Sequence, residues 1–469
     1  MTENNPAVAE ITKAVLKSFN GVERDITGTF IGVVSIDQSM DTASWSGTMS
    51  VRDSAGVLDS LPIRGEESLE LWIKSFDLGT EIKLNARVHK VTDIIPTATS
   101  NGVTYKLHFV SDVTYNGSLV KITKAYNRPV NDIVKRIFNE YYWPIGQADY
   151  LDRDNRSKTL PFATARYPLE NQTPERSIHI QPTVGIQKLI IPRLSSSEAL
   201  FFAASRGFNP ETASQSYKFF ETIEDFYFCS DEYFLTGLTD DDITYLHYSP
   251  VGSFTTEDLD SQIMRVDQMQ IVSKGIDTST DIFSGSYRNE VTEIDLVRGI
   301  LNISKFNYDD ARYIDMTGAP RSDETNPHTP EFRAATFTEN NARRFMIFKD
   351  YQSNGDTPSP LANDRNLTSI FHNRVSYYHH LNNTIIAVSL KGRLDIRPGK
   401  VVHLTFKNFD GVSSSVDDNI ISGRYLVKAT NHTFAEGVLE TSLRLVKFDW
   451  SARSNIANPQ TPAAPRSTI

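Results

Sequence analysis

The segments LDIRPGKVVHLTFKNF (residues 394–409) and SGRYLVKATNHTFAEGVLETSLRLVKF (422–448), separated by a polar loop, decide the fold. Pro398-Gly399 marks a turn, and Val401 to Phe406 is rich in β-branched and aromatic residues, the composition of a strand. In the last segment Leu439, Thr441, Leu443 and Leu445 alternate with Glu440, Ser442 and Arg444. A period of two places one set on a core and the other in water, which predicts a half-buried antiparallel strand.

A related stretch stands near the other end of the chain. LPIRGEESLELWIKSF (61–76) aligns without gaps on 394–409 and matches Leu61 with Leu394, Ile63 with Ile396 and Arg64 with Arg397. It also matches Leu71 with Leu404, Lys74 with Lys407 and Phe76 with Phe409. Any two amphipathic β segments share some pattern, but here each copy also leads into a long hairpin. After the first, Ile82, Leu84, Ala86 and Val88 alternate with charged and polar residues, and Val103, Tyr105, Leu107 and Phe109 return, with Asn101-Gly102 as the turn. The repeat predicts a duplicated β-barrel module, one copy at each end. Leu61, Ile63, Arg64, Leu71 and Phe76, with Leu394, Ile396, Arg397, Leu404 and Phe409, are the candidate repeat and assembly core.

A chain of 469 residues holds two to four domains with cores of their own. The net charge of −10 and a pI near 5.6 argue against nucleic-acid binding as the main task. One cysteine, Cys229, excludes an intramolecular disulfide framework; in FYFCS it reads as a small buried side chain on a strand. MTENNPAVAEITK lacks the order of a signal peptide, and no apolar run reaches membrane-spanning length, so no membrane anchor is expected.

The predicted class is mixed α+β, β-dominated. Residues 1–24 read as an N-terminal arm and 25–125 as the first β module. Residues 126–260 read as an inserted α+β domain. Its first helix is PVNDIVKRIFNEYY, where Val130, Ile133, Val134, Ile137, Phe138 and Tyr141 form one stripe behind Pro129. Its second follows a Ser195/Glu198 capping box and stops at Gly207. A hairpin over 217–230 completes it, and 144–192 reads mostly as loop. The second β module takes 261–312 and 363–450, with a helix carrying Leu367, Ile370, Phe371, Val375, Tyr378 and Leu381 before the strand TIIAVSL. Residues 313–362 form a polar insertion in which only RRFMIF has strand character, and 451–469 a flexible Pro/Ala-rich tail.

No reactive constellation stands out. The chain has no Gly-x-Ser-x-Gly elbow and no His-Glu-x-x-His, and Val401 follows Gly399-Lys400 where a phosphate loop requires Ser or Thr. His372, His379 and His380 lack the i, i+4 spacing of helical metal ligands. Asp240-Asp241-Asp242, Asp309-Asp310 and Asp417-Asp418 lack the regular spacing of a calcium loop. Catalytic, cofactor and metal residues are therefore expected to be none.

The order of these parts resembles the central hub protein of contractile-tail bacteriophage baseplates, a tail-tube-like family shared with contractile injection systems. SSSEALFFAASRGF with YKFFETIEDFYFCS is similar to the family's helix followed by an aromatic hairpin. GRLDIRPGKVVHLTFKNF is similar to its strand, Pro-Gly turn and strand, and SGRYLVKATNHTFAEGVLETSLRLVK to its closing hairpin. QIMRVDQMQIVSKGIDTSTDIFSGSYRNEVTEID resembles the entry to the second module, while 313–364 departs from the pattern. The resemblance implies a non-enzymatic virion protein that forms a homotrimer of two tube-like modules per chain. It implies a spike protein and a tail tube or tube-initiator protein as partners, with a tape measure protein and the baseplate wedge beside them. DNA would pass through the channel without specific binding. Two other readings fit the same features: the hub of a type VI-like or other contractile injection particle, and a tail-associated carbohydrate-active or cell-wall hydrolase.

Overall fold

The structure is a computed structural model. It describes residues 7–18, 21–27, 31–61, 63–75, 81–96, 102–143, 149–151, 157–159, 176–209, 216–248, 259–274, 283–286, 288–307, 343–348, 351–354, 357–360, 372, 374–375, 377–378, 381–382, 384–406 and 421–447.

The first module uses β1 (Ala9–Lys17), β2 (Glu23–Asp25), β3 (Ile31–Ser39), β4 (Ser46–Asp53), the short helix α1 (Val57–Ser60), β5 (Ser68–Ser75), β6 (Glu81–Pro96) and β7 (Val103–Ser111). The strands pair antiparallel in the order β3-β4-β7-β6-β5-β1-β2. Their alternating residues meet on one side. Val34, Ile36, Met49, Val51, Leu69, Leu71, Ile73, Leu84, Leu107 and Phe109 form its core.

The inserted unit packs α2 (Asp112–Ser118), α3 (Val130–Ile137) and α4 (Ser196–Ala204) on two small sheets. One pairs β8 (Lys121–Arg128) with a later strand; between them lie β9 (Asp149–Leu151), β10 (Ser157–Thr159) and β11 (Ile178–Ile180). That later strand is β12 (Gln187–Ser195), antiparallel to β8. The other sheet places β11 parallel to β14 (Phe226–Cys229), which pairs antiparallel with β13 (Lys218–Glu221). The stripe of α3 is fully buried and runs on into a π-helical turn, Phe138–Tyr142. Aromatic rings fill the space below: Phe138 lies 4.9 Å from Phe226 and Tyr142 5.3 Å from Phe219, both edge-on. The Ser195/Glu198 capping box starts α4. At Gly207 a Cβ would sit 2.6 Å from the Tyr217 ring, so glycine is required by close approach.

The second module uses β15 (Ile243–Tyr248), α5 (Leu259–Met264) and β16 (Val266–Lys274). An excursion follows: β17 (Arg288–Asp295) pairs antiparallel with β18 (Ile300–Asn307) and parallel with β19 (Arg343–Phe348), while β20 (Tyr351–Asn354) pairs with β21 (Thr357–Pro360). The described residues from His372 to Leu381 are helical. Then come β22 (Thr384–Lys391), β23 (Val401–Phe406), β24 (Gly423–Ala435) and β25 (Val438–Lys447). The barrel order is β16-β22-β25-β24-β23-β15, with only the last pair parallel. Ile386, Val388, Val402, Leu404, Phe406, Tyr425, Val427, Leu443 and Leu445 fill it.

Five consecutive strands thus recur with the same pairing. The ladder β3-β4-β7-β6-β5 corresponds to β16-β22-β25-β24-β23, in the same chain order. Even the irregularities recur. A bulge falls between Ile31 and Val34 in β3 and between Val266 and Gln268 in β16. Another falls between Val88 and Lys90 in β6 and between Val427 and Ala429 in β24. The excursion β17–β21 stands where the first module has only the turn over residues 40–45. The sixth strand differs: β1 is antiparallel to β5, whereas β15 is parallel to β23.

The modules are joined through β24, which forks. Its residues 423–426 pair with β23, and 429–435 pair with β3 of the first module. The tip of the β24–β25 hairpin also meets the start of β1, with Ala9 N–H donating to Gly437 O at 3.0 Å and Leu439 N–H to Ala7 O at 2.7 Å. Phe434, Leu439 and Leu394 consequently belong to the first module's core.

Several boundaries differ from the sequence reading. The 1–24 arm contains β1, whose Ala9, Ile11, Ala14 and Leu16 are buried; a bulge between Ile11 and Lys13 breaks the alternation that would have revealed it. Residues 112–128 pack with the inserted unit, because Val113, Ile122 and Tyr126 enter its core. Within 144–192 the described residues include the strands β11 and β12; Pro192 stands in β12 where the register shifts. β15 belongs to the second barrel through its pairing with β23, and β17 and β18 form a separate sheet. The strand expected at RRFMIF is β19. Most of 313–362 and all of 451–469 lie outside the described residues.

Candidate assembly surface

Of the aligned repeat residues, Leu71 and Leu404 occupy corresponding places on β5 and β23. Leu69, Leu71 and Ile73 point into the first core as Val402, Leu404 and Phe406 point into the second, each of the six at most 2% exposed. Leu61 and Leu394 are both buried, and Ile396 is buried where Ile63 is half-buried. The arginines are not equivalent. Arg64 is exposed, while Arg397 forms an ion pair with Glu224 at the β13–β14 turn. Phe76 and Phe409 lie outside the described residues. Leu61, Leu71, Leu394, Ile396 and Leu404 thus serve the two cores and do not form an outward surface.

The outward features are strand edges. β5 covers β6 only over residues 81–87, and the remainder of β6 has no strand on that side among the described residues. β16 pairs with β22 on one side; on the other, among the described residues, its start adjoins β15 at the Arg265–His247 bridge. Both edges carry apolar side chains in water: Ile94 is 54% and Ile95 61% exposed on β6, and Ile271 is 39% and Val272 56% exposed on β16. Adjacent isoleucines have no period, so sequence patterning alone does not flag them.

A buried ionic cluster locks the two modules to the inserted unit. Lys218 Nζ lies 3.2 Å from Asp231 Oδ1 and 3.2 Å from Asp41 Oδ1. Lys428 Nζ lies 3.6 Å from Asp231 Oδ2 and 3.8 Å from Asp41 Oδ1. Burial lowers the Lys428 pKa to about 8 despite the pull of Asp231. Burial would lower Lys218 as well, but the Asp231 and Asp41 carboxylates outweigh it and hold that lysine raised. Glu232 accepts from Ser216 Oγ at 3.0 Å; burial, then the charge of Asp231, raises it to about 7.

The residues weighed for chemistry have structural settings. His372 is buried, bonds Asn289 and, at 2.8 Å, Ser304 Oγ, and stacks on Phe306; burial lowers its pKa to about 4. His379, His380, Asp309, Asp310, Asp417 and Asp418 lie outside the described residues. Asp242 caps a short turn by accepting from Thr239 Oγ1 at 2.7 Å. Cys229 is buried on β14, and burial pushes its thiol up, away from the thiolate a nucleophile needs. Among the described residues no group of three His, Cys, Asp or Glu could hold a metal, and no helix is long and apolar enough to cross a membrane.

No protein-family model matches the chain, and no curated protein does. Solved structures do. The chain is similar to the tail protein from Neisseria meningitidis MC58, with a TM-score of 0.48 and 11% identity over 94% of this chain and 98% of that one. It is similar to the 43 kDa tail protein of prophage MuSo2 from Shewanella oneidensis, with a TM-score of 0.47 and 9% identity over 93% and 98%. It is also similar to the E. coli c3393 protein, a component of the type VI secretion system described as structurally similar to T4 bacteriophage tail proteins gp27 and gp5. There the TM-score is 0.42 and the identity 6%, over 94% and 76%.

Proposed function

We propose that this chain is the central hub of a contractile-tail baseplate, a structural protein of the virion assembled in the bacterial cytoplasm. The observation that supports this reading is the repeated five-strand ladder, joined side by side through β24 and β3. One such joint inside the chain places two like modules in neighbouring positions of a ring. Three chains then supply six positions, and a closed ring leaves no open edge. Such a ring presents sixfold character to a tail tube or tube-initiator protein and threefold character to a spike protein, with a tape measure protein and the baseplate wedge as further neighbours. The net charge of −10 suits a channel that lets DNA pass without holding it. No enzymatic role is assigned to it.

Electron microscopy of the purified protein, alone and with its neighbouring spike, tests the proposal. The expected particle is a ring of three chains with six similar lobes. A ring of any other order refutes it, and release of product from purified cell walls refutes the non-enzymatic part.

A further inference from the structure

We infer that the outer face of β6 and β7 at the Val88/Lys90 bulge is a docking site for an acidic segment of a partner protein, with His89, Lys90, Lys106 and His108 as the recognising side chains. The bulge turns His89 and Lys90 to the outside of the barrel together, and both are exposed. Lys90 pairs across the ladder with His108, whose ring centroid lies 6.3 Å from that of His89. Lys106 stands one row further along β7, flanked by Thr92 and Ser50, and Arg52 lies a row beyond on β4, opposite Thr104. Among the described residues Lys90, Lys106 and Arg52 take part in no ion pair. His108 Nε2 lies 2.8 Å from Thr92 Oγ1, which fixes one ring of the group. The result is a patch of like charge on a chain whose net charge is −10.

The second module shows what this position takes. Its corresponding bulge lies between Val427 and Ala429, so Lys428 stands where the first module has His89, and Arg444 where it has His108. Lys428 is buried against Asp231 and Asp41, and Arg444 also pulls on Asp41. Asp231 comes from the inserted unit, which occurs once in the chain and is already packed on the second module. The first module's cations have no second inserted unit to face, so the matching carboxylates belong to a different protein. The size of the patch selects a short segment. Three neighbouring strands and two ladder rows span about 10 by 7 Å, room for two or three carboxylates. A nucleic-acid duplex would run past it onto an acidic chain that repels phosphate. Desolvation and then Lys90 lower the pKa of His89; desolvation, then Lys90, Lys106 and His89, lower that of His108 against the pull of Asp93. Carboxylates bound here relieve that repulsion and favour the protonated rings, so the segment binds more tightly as pH falls.

Fluorescently labelled hexaglutamate, titrated into the full chain at low salt and read by anisotropy, tests this. Lys90→Glu combined with Lys106→Glu turns two attractions into repulsions and is expected to weaken binding at least about tenfold. Lys74→Glu changes an exposed lysine opposite Glu81, at the far end of β6, and is expected to alter binding less than about twofold. Wild-type affinity is expected to rise between about pH 7.5 and about pH 5.5, where the probe stays ionised, and His89→Asn with His108→Asn to flatten that rise. Circular dichroism checks each fold; if the double glutamate variant does not fold, Lys90→Ala with Lys106→Ala is read in its place, with a loss in the same direction. No binding by the wild type, or an equal loss in Lys74→Glu, overturns the site. A short DNA duplex that binds more tightly than hexaglutamate, and is released by the same double variant, overturns the acidic-segment occupant. Native mass showing self-association of the chain alone, abolished by that variant, makes a second copy the occupant and overturns the partner protein. Ring order, read by microscopy, stands or falls separately from all of these results.

Discussion

Replacing Asp231 with alanine probes the lock between the modules. Asp231 is fully buried and is shared by two ammonium groups, Lys218 at 3.2 Å and Lys428 at 3.6 Å. Removing it leaves both lysines to Asp41, whose side chain is 55% exposed. Breaking a buried ion pair from one side costs about 3–5 kcal/mol, because the remaining charge keeps its desolvation penalty without its partner. Against a domain stability of about 5–15 kcal/mol, that is enough to lower the first unfolding transition clearly. The loss should also depend on pH. Lys428 is held near 8 when folded and titrates near 10.4 when unfolded, so between those values the unfolded chain binds more protons and stability rises with pH. The Asp231→Ala loss should therefore be largest near neutrality and shrink above pH 8, where Lys428 sheds its proton. Adding Lys428→Met should restore much of it, since one uncompensated charge goes. Urea unfolding followed by near-ultraviolet circular dichroism at two pH values measures all three variants. An unchanged midpoint for Asp231→Ala, or a loss equal at both pH values, refutes the reasoning.

Glu232 should act with the opposite sign. Its folded value of about 7 lies above 4.5, so wild-type stability falls as pH rises through that interval. Glu232→Gln should remove a penalty on the order of 3 kcal/mol at pH 8 and little at pH 5, read as the difference in melting temperature. Leu71→Asp and Leu404→Asp each put an unpaired carboxylate at a fully buried position. Each should cost several kcal/mol, and unchanged melting of either would show that it does not face a core. Gly47→Ala should cost about 1–3 kcal/mol by overpacking, since its Cβ would lie 2.5 Å from the Phe109 ring and 2.6 Å from Ser35 O; a neutral result in thermal melts would mean that β4 shifts freely.

The parts legible in the sequence are those where one physical rule acts alone. In β25 one face is buried and the other wet, so Leu439, Leu443 and Leu445 alternate without interruption. In α3 the stripe from Val130 to Ile137 is a helical period with nothing competing, and Ser195 with Glu198 announces α4 by the cap. The parts that stay hidden combine two rules. β1 alternates, but its bulge shifts the phase midway. β12 contains Pro192, which reads as a break until the bulge that tolerates it is seen. β15 gains its place from β23, a partner more than a hundred residues further along the chain. The candidate edges are the least visible. Ile94-Ile95 and Ile271-Val272 are adjacent apolar pairs whose meaning depends on which neighbouring strand ends early.

The forked β24 has a consequence for how the chain is made. Translation delivers β1 to β7 before β24, yet the outer side of β3 is completed by residues 429–435, and the first core takes Phe434 and Leu439 from more than three hundred residues further along the chain. The N-terminal unit therefore leaves the ribosome with an open strand and a gap in its interior, and it stays so until residues 429–439 have emerged. Contacts this distant in sequence close slowly, and an exposed edge in the meantime invites pairing with another nascent chain. A chain lacking β24 and β25 lacks partners for strands of both modules, for β3 in the first and for β22 and β23 in the second.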